Sequence, residues 1–210
     1  MRFAELDAVT VDGYGTLLHL VDPLPALRGA LAGHGVERSD GAIAAAFKAE
    51  VAHYRPLAHT GRGEAALAAL RLDCVGVFLA ALGDPLQPGS FVEDFIGALA
   101  FAPVPGAAEA VSSLRDRGLR LAVVANWDCA LPGHLERAGL LDPFDSVVTS
   151  ARAGAAKPDP AIFRLALAEL GVEPNRALHV GDEPLDEEGA LAAGLRFLPA
   201  PLATAFDGWA

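Results

Sequence analysis

Apolar positions along this chain follow two rhythms, and the change between them predicts the architecture. Ala8-Val9-Thr10-Val11 is a short apolar run of strand length. For some eighty residues after it, apolar residues recur at helical spacing. Ile43, Phe47, Val51 and Tyr54 share one helical face, and Leu67, Leu70, Cys74, Val77 and Phe78 share another. Ser90-Phe91-Val92-Glu93 has the capping-box pattern, which predicts a helix start there. The glycines near Gly33–Gly35 and Gly61–Gly63 suit loops, and no strand is predicted between Leu20 and Leu99.

Beyond Pro105 strands and helices alternate. A helix through Ala107, Ala110, Val111 and Leu114 stops near Gly118. Strand Leu121–Val124 follows, then a helix over Leu131–Ala138, strand Ser146–Thr149 and a helix over Pro160–Leu170. Asp159 and Pro160 sit at the favoured N-cap and first positions of that helix. Strand Ala177–Val180, a helix over Glu187–Ala193 and a last strand at Arg196–Leu198 complete the pattern. Such alternation predicts an α/β fold with a doubly wound, Rossmann-like parallel sheet. Right-handed crossovers bring the strand C-termini to one edge, where open α/β sheets bind ligands. Asp12, Asn126 and Asp182 each follow a strand, and Lys157 lies in the loop after another, so the layout predicts that they converge. The expected organisation is a core of 1–17 plus 100–210 with an all-helical insert, 18–99, acting as a cap.

Composition narrows the function classes. The chain has 210 residues, 52% of them apolar, enough for one domain with an insert. A net charge of −11 argues against nucleic-acid or anionic-membrane partners. No uninterrupted apolar run reaches span length, and Arg2, Glu5 and Asp7 do not form a signal-peptide pattern. The 2 cysteines, Cys74 and Cys129, show neither metal spacing nor a disulfide framework, so a reducing, cytoplasmic setting is expected. Among 16 basic residues the lysines are Lys48 and Lys157 alone. Keeping a compact ammonium at Lys157 suits a small site shared with carboxylates.

Four segments carry the chemistry. Asp12-Gly13-Tyr14-Gly15-Thr16-Leu17 puts a carboxylate at a strand end before a glycine-rich turn. Read alone it also suits a hairpin turn. Ala125-Asn126-Trp127-Asp128 follows the second strand, Lys157-Pro158-Asp159-Pro160 opens a helix, and Gly181-Asp182-Glu183 ends a strand with Asp186 close behind. In this order, over nearly the whole chain, the set resembles the haloacid dehalogenase-like hydrolase superfamily.

The resemblance implies a covalent mechanism with Asp12 as nucleophile. It implies that Thr16 hydrogen-bonds near the nucleophile or transferred group and that Lys157 neutralises charge. It implies Mg²⁺ as cofactor, held by Asp12, Asp182 and the Tyr14 carbonyl, with Glu183 or Asp186 as helpers. Gly13, Ala125, Asn126 and Trp127 match substrate-side positions. Arg55, with Arg62 and Tyr54, is a polar candidate on the insert. Plainer roles stand beside these: Thr16 as a turn hydroxyl, Lys157 as a solvated charge, Asp186 and Glu187 as helix-terminus residues, Trp127 as packing. Asn126 is read as a substrate-facing amide, and His53 and His59 as surface residues.

The chain departs from the family's phosphatases in two places. Tyr14 stands where they carry an acid–base Asp, and a phenol is a poor base near neutral pH. Ala125 replaces a Ser or Thr that holds a phosphate oxygen. Asp-x-Tyr-Gly-Thr is the first-motif form of 2-haloacid dehalogenases, whose halide leaving group needs no proton. Those enzymes use no metal and carry a Ser- and Asn-bearing fourth motif, with a Tyr where this chain has Phe163. The expected activity is Mg²⁺-dependent hydrolysis of a small phosphate monoester. The alternatives are 2-haloacid dehalogenation, or a catalytically weak member that binds a phosphorylated ligand or partner.

Overall fold

The computed structural model describes residues 2–209 of the chain, which divide into two compact units. One is built from the chain up to His19 and from Ala102 onwards; the other is Leu20–Phe101. The first contains strands β1 (Ala8–Val11), β4 (Arg120–Ala125), β5 (Ser146–Thr149), β6 (Ala177–Gly181) and β7 (Arg196–Pro199). They form one sheet in the order β5-β4-β1-β6-β7, and every pairing is parallel. The chain leaves β1, returns to its β4 side, and later crosses to its β6 side, so the strand order reverses at β1. Val11 is in register with both Val123 and Val180. The residue after β1 therefore emerges between the C-terminal ends of its two neighbours, the place where such sheets bind ligands.

Burial on both faces explains why β1, β4 and β6 read as apolar runs rather than as alternating patterns. Helices α5 (Ala107–Asp116), α6 (Leu131–Arg137), α7 (Ser150–Ala153), α8 (Pro160–Leu170) and α9 (Pro184–Ala192) connect them. Ala8, Ala122, Val124 and Ala177 pack against Ile162, Phe163, Ala166 and Leu167 of α8 and Ala190 of α9. Helix α8 starts where its caps predict: the Asp159 carboxylate accepts the Ala161 N–H at 2.9 Å, with Pro160 at the first position. Helix α9 starts at Pro184, three residues before the predicted Glu187, because proline is as acceptable in a first turn as it is disruptive inside a helix.

The second unit holds α1 (Leu24–Gly33), α2 (Asp40–Leu57), α3 (Glu64–Leu82) and α4 (Pro88–Gly97). Its core is Leu27, Leu31, Ile43, Ala46, Val75, Phe78, Leu79, Phe91 and Phe95 with their neighbours. Three local expectations are corrected here. Helix α4 begins at Pro88, and the Ser90 hydroxyl donates to the Gln87 carbonyl instead of capping. The buried face of α2 is Ile43, Ala46 and Glu50, while Phe47, Val51 and Tyr54 are half-buried. Val75, not Val77, is buried on α3. Helix α3 is also long and apolar enough, by length and composition, to cross a membrane, although its apolar residues are interrupted by Arg71 and Asp73. Where the chain passes between the units, β2 (Leu18–Leu20) and β3 (Phe101–Pro103) pair as a two-stranded sheet. At three residues each, they are too short to show a period.

Candidate active site

Asp12 follows β1 and is buried; its N–H donates to the Val180 carbonyl at 2.9 Å, which fixes the strand end. The chain then turns tightly, with the N–H groups of Leu17 and Leu18 both donating to the Gly13 carbonyl. Gly15 has φ +85°, and a Cβ on it would lie 2.2 Å from Asp182 Oδ2. Only glycine permits both that conformation and so close an approach to the carboxylate.

Asp12, Asp182 and Asp186 converge, each with a carboxylate oxygen within 4.8 Å of the others. Asp182 follows β6 and is exposed, whereas Asp186 is buried in the first turn of α9. The Lys157 ammonium, itself buried, donates to Oδ1 of both Asp12 and Asp186. Asp186 also takes the N-terminal role foreseen for it: Oδ2 accepts the Glu183 N–H at 3.0 Å. Capping and site membership, set against each other in the sequence, are held by one side chain using different oxygens. Glu183 itself occupies the N-cap position of α9 and is not part of the three-carboxylate convergence.

Two buried carboxylates on one ammonium, with the exposed Asp182 beside them, leave an excess of negative charge. Burial pushes Asp12 up to about 7; Lys157 pulls it down, and Asp186 and Asp182 push it further up. Burial also raises Asp182, with Asp186 and Glu183 adding to it. Asp186 is lowered: burial works against ionisation, but the His179 hydrogen bond and the Lys157 charge outweigh it. Burial likewise disfavours the Lys157 ammonium, and Asp12 and Asp186 more than offset this, so its pKa is raised.

The other sequence-picked residues divide. Thr16 is fully buried, and among the described residues its hydroxyl has no hydrogen-bond partner. Asn126 does not present its amide outward as expected. Its Oδ1 accepts the Lys157 N–H at 2.7 Å and its Nδ2 donates to the Lys157 carbonyl at 3.0 Å. A side-chain amide paired with both main-chain groups of one residue fixes that residue's loop. Ala125 is buried beneath the glycine turn, where a Cβ on Gly13 would lie 3.0 Å from its own Cβ. Trp127 is buried; its ring centroid lies 6.4 Å from that of Tyr14 and 5.7 Å from that of His134. Tyr14 is 46% exposed. Arg55 and Arg62 are exposed residues of the helical unit, and Tyr54 there is half-buried. His53 donates or accepts at 2.6 Å from Asp73, and His59 is half-buried.

Sequence reading missed Thr10 and His179. Both are fully buried in mid-strand, directly paired in register, with Thr10 Oγ1 2.9 Å from His179 Nδ1. Nε2 of His179 lies 3.2 Å from Asp186 Oδ1. Burial is the dominant influence on the imidazole, and it pushes its pKa down to about 4. The available signal was a polar residue in each of two otherwise apolar strands.

A parallel sheet with a strand-end carboxylate at the order reversal, beside a lysine and two further carboxylates, defines an α/β protein with a charged site at its strand ends. The family model of haloacid dehalogenase-like hydrolases matches residues 6–194, and the chain belongs to that family. Haloacid dehalogenase-like hydrolase domain-containing protein 3 of Mus musculus is 45% identical over 104 residues, which is 49% of this chain and 41% of that protein. Phosphoserine phosphatase of Thermus thermophilus is 39% identical over 117 residues, 54% of this chain and 47% of that one. The match thus spans less than half the length of either relative. Among solved structures, the L-2-haloacid dehalogenase of Xanthobacter autotrophicus superposes with a TM-score of 0.66 at 26% identity, over 96% of this chain and 82% of that one.

Proposed function

We propose that the chain is a Mg²⁺-assisted phosphatase for a small phosphorylated metabolite, with Asp12 as nucleophile. The observation that carries this reading is the convergence of Asp12, Asp182 and Asp186 around a single ammonium. A halide-displacing site has no need of so much clustered negative charge, whereas a divalent cation compensates it. Two features suit a phosphoryl group and its ion. Gly15 leaves space beside Asp182 that any side chain would fill. The Thr16 hydroxyl is buried without a partner among the described residues, a costly state that a transferred oxygen would relieve.

Asp12, Asp182 and the Tyr14 carbonyl would hold the ion, with Asp186 in support. When bound, Mg²⁺ supplies neutralisation of the phosphoryl oxygens' charge. Asp12 attacks phosphorus, a bond from its carboxylate oxygen forms, and the ester P–O bond breaks. The departing alkoxide takes a proton from water. A second water then hydrolyses the aspartyl-phosphate, releasing phosphate and restoring Asp12. Lys157 holds the nucleophilic carboxylate and offsets its charge, and Asn126 fixes the loop that carries Lys157. Tyr14 can donate a hydrogen bond but is a poor base. Turnover is therefore modest and fastest on esters with good leaving groups. The phosphatase relative supports this reading.

Haloacid dehalogenation is the second reading, favoured by Tyr14 and by the likeness to a dehalogenase structure. Against it stand the acidic fourth motif and Phe163, which is packed in the core. A panel of phosphorylated metabolites and 2-haloacids, assayed with and without Mg²⁺, separates the two. Phosphate release that requires Mg²⁺ and is lost in Asp12→Asn is expected. Steady halide release from 2-chloropropionate without metal overturns the proposal, and tight binding of a phosphate ester without turnover marks a binding protein.

A further inference from the structure

His179 lies on the sheet face that Ala8, Ala122, Val124 and Ala177 share, packed against α8 and α9. Apart from Thr10 beside it, and Arg120 and Ser146 at the strand starts, the residues which that face contributes are apolar. The His179 ring stands edge-on to Phe163 at 4.9 Å between centroids, with Phe197 at 6.4 Å. An imidazole is unfavourable in such surroundings unless both nitrogens are hydrogen-bonded. Both are, and the two partners differ in kind. An ionised Asp186 can only accept, so the nitrogen facing it, Nε2, carries the proton. In the neutral ring Nδ1 then accepts, and the Thr10 hydroxyl donates to it at 2.9 Å; the Leu178 carbonyl, the alternative acceptor, is at 3.5 Å. Hydrogen bonds thus run in one direction from Thr10 through His179 to Asp186. There they meet the Lys157 ammonium, which donates to the same Asp186 oxygen and to Asp12.

We propose that His179 is a positioning residue: its Nε2–H holds Asp186, and through it the Lys157 ammonium, in the orientation that serves Asp12. This rests on the phosphatase reading only in so far as Asp12 and Lys157 do chemistry. His179 touches no reacting atom. Its effect is to fix which Asp186 oxygen receives Lys157. With Oδ2 tied to the Glu183 N–H and Oδ1 tied to His179, the carboxylate cannot rotate, and Lys157 keeps one geometry. Outer partners that orient a site group in this way are typically worth about 10–100-fold in activity or affinity.

The test uses the full chain and three variants. Nitrogen NMR on ¹⁵N-labelled wild-type protein reads the His179 tautomer and needs no substrate; the proton is expected on Nε2. A proton on Nδ1, with Nε2 bare towards Asp186, overturns the proposal and leaves the phosphatase reading intact. In turnover of whichever ester the enzyme accepts, His179→Leu is expected to lower kcat about 10–100-fold with KM little changed. His179→Gln, whose amide N–H reaches the place of Nε2, recovers most of that loss. A residue that merely fills the core predicts the reverse, since leucine suits an apolar face better than glutamine. Wild-type kcat in His179→Leu therefore overturns the proposal. Should His179→Leu fail to fold, the isosteric Thr10→Val decides: a smaller fall in kcat with mixed His179 tautomers supports the relay, and an unchanged single tautomer with unchanged kcat contradicts it.

Discussion

Asp186 of the α/β unit and Glu50 of the helical unit are both buried carboxylates, and the fold satisfies them in opposite ways. Asp186 has Lys157, His179 and the Glu183 N–H directed at it, and despite burial it is held below the usual carboxylate range. Glu50, 6% exposed on the inner face of α2, has a thiol partner in Cys74 and a more distant favourable charge in His53. Burial there wins, and Glu50 is pushed up to about 7. Burial alone therefore does not mark a reactive site. What distinguishes Asp186 is that donors supplied by the fold keep it charged at the edge where the strands end, whereas burial pushes Asp12 beside it up to about 7 although Lys157 pulls the other way. In the helical unit the carboxyl is tolerated by becoming neutral.

Removing the ammonium is the most severe way to break this contrast. Lys157→Met keeps length and apolar volume but leaves Asp12 and Asp186 facing each other without a counter-charge. Breaking a buried pair from one side costs about 3–5 kcal/mol, so the urea midpoint should fall sharply in metal-free buffer, together with loss of turnover. Added Mg²⁺ should restore part of the stability and none of the rate. A midpoint equal to wild type would mean that the carboxylates are already neutral.

Tyr14→Asp sharpens the same contrast by adding the acid–base group the site lacks. A general acid–base contribution of about 10²–10⁴ corresponds to about 3–5 kcal/mol of barrier. On the phosphatase reading Ala125 supplies no hydroxyl to a phosphate oxygen, so a rise of about tenfold or more in kcat is the expected outcome, larger for alkyl than for aryl phosphates. No gain with either ester, in a folded variant that binds Mg²⁺, moves the dehalogenase or ligand-binding reading ahead.

The mildest test falls on Glu50. Its folded-state pKa lies above the unfolded value, 4.5, at about 7. Between these the unfolded chain ionises first, so stability contributed by the neutral carboxyl is complete below the lower value and is lost as pH rises through the higher one. Glu50→Gln should therefore be more stable than wild type at pH 8 by up to about 3 kcal/mol, with the gap closing towards pH 4. Urea unfolding at both pH values checks it, and a gap independent of pH would show that Glu50 is not neutral in the fold.

How much of this was legible in the sequence follows the range of the interactions. Strand β5 lies at Ser146–Thr149 as read, and α8 begins at Asp159-Pro160, because cap chemistry and short apolar runs are local signals. Asp12, Asn126, Lys157 and Asp182 could be placed together because strand order alone brings their loops to one edge, whereas Asp186 reads equally well as a helix-terminus residue. The start of α9 was missed because Pro184 reads equally as loop and as first turn. The inner face of α2 was misread because its buried residues include Ala46 and a carboxylate, which an apolar count passes over. Thr10 and His179 were invisible for a different reason. They are 169 residues apart, and only the register of β1 against β6 makes them partners. The partners of the Asn126 amide were likewise out of reach of the sequence, since they are the main-chain groups of a residue 31 positions on.

Calorimetric titration of Mg²⁺ into the metal-free full chain and its Asp182→Asn variant tests most directly whether the carboxylate cluster is a cation site. Asp182 is the exposed member of the three, so its substitution disturbs the core least. The account predicts saturable binding by wild type and at least about tenfold weaker binding by Asp182→Asn. Equal affinity in the variant, or no binding by wild type, would contradict it.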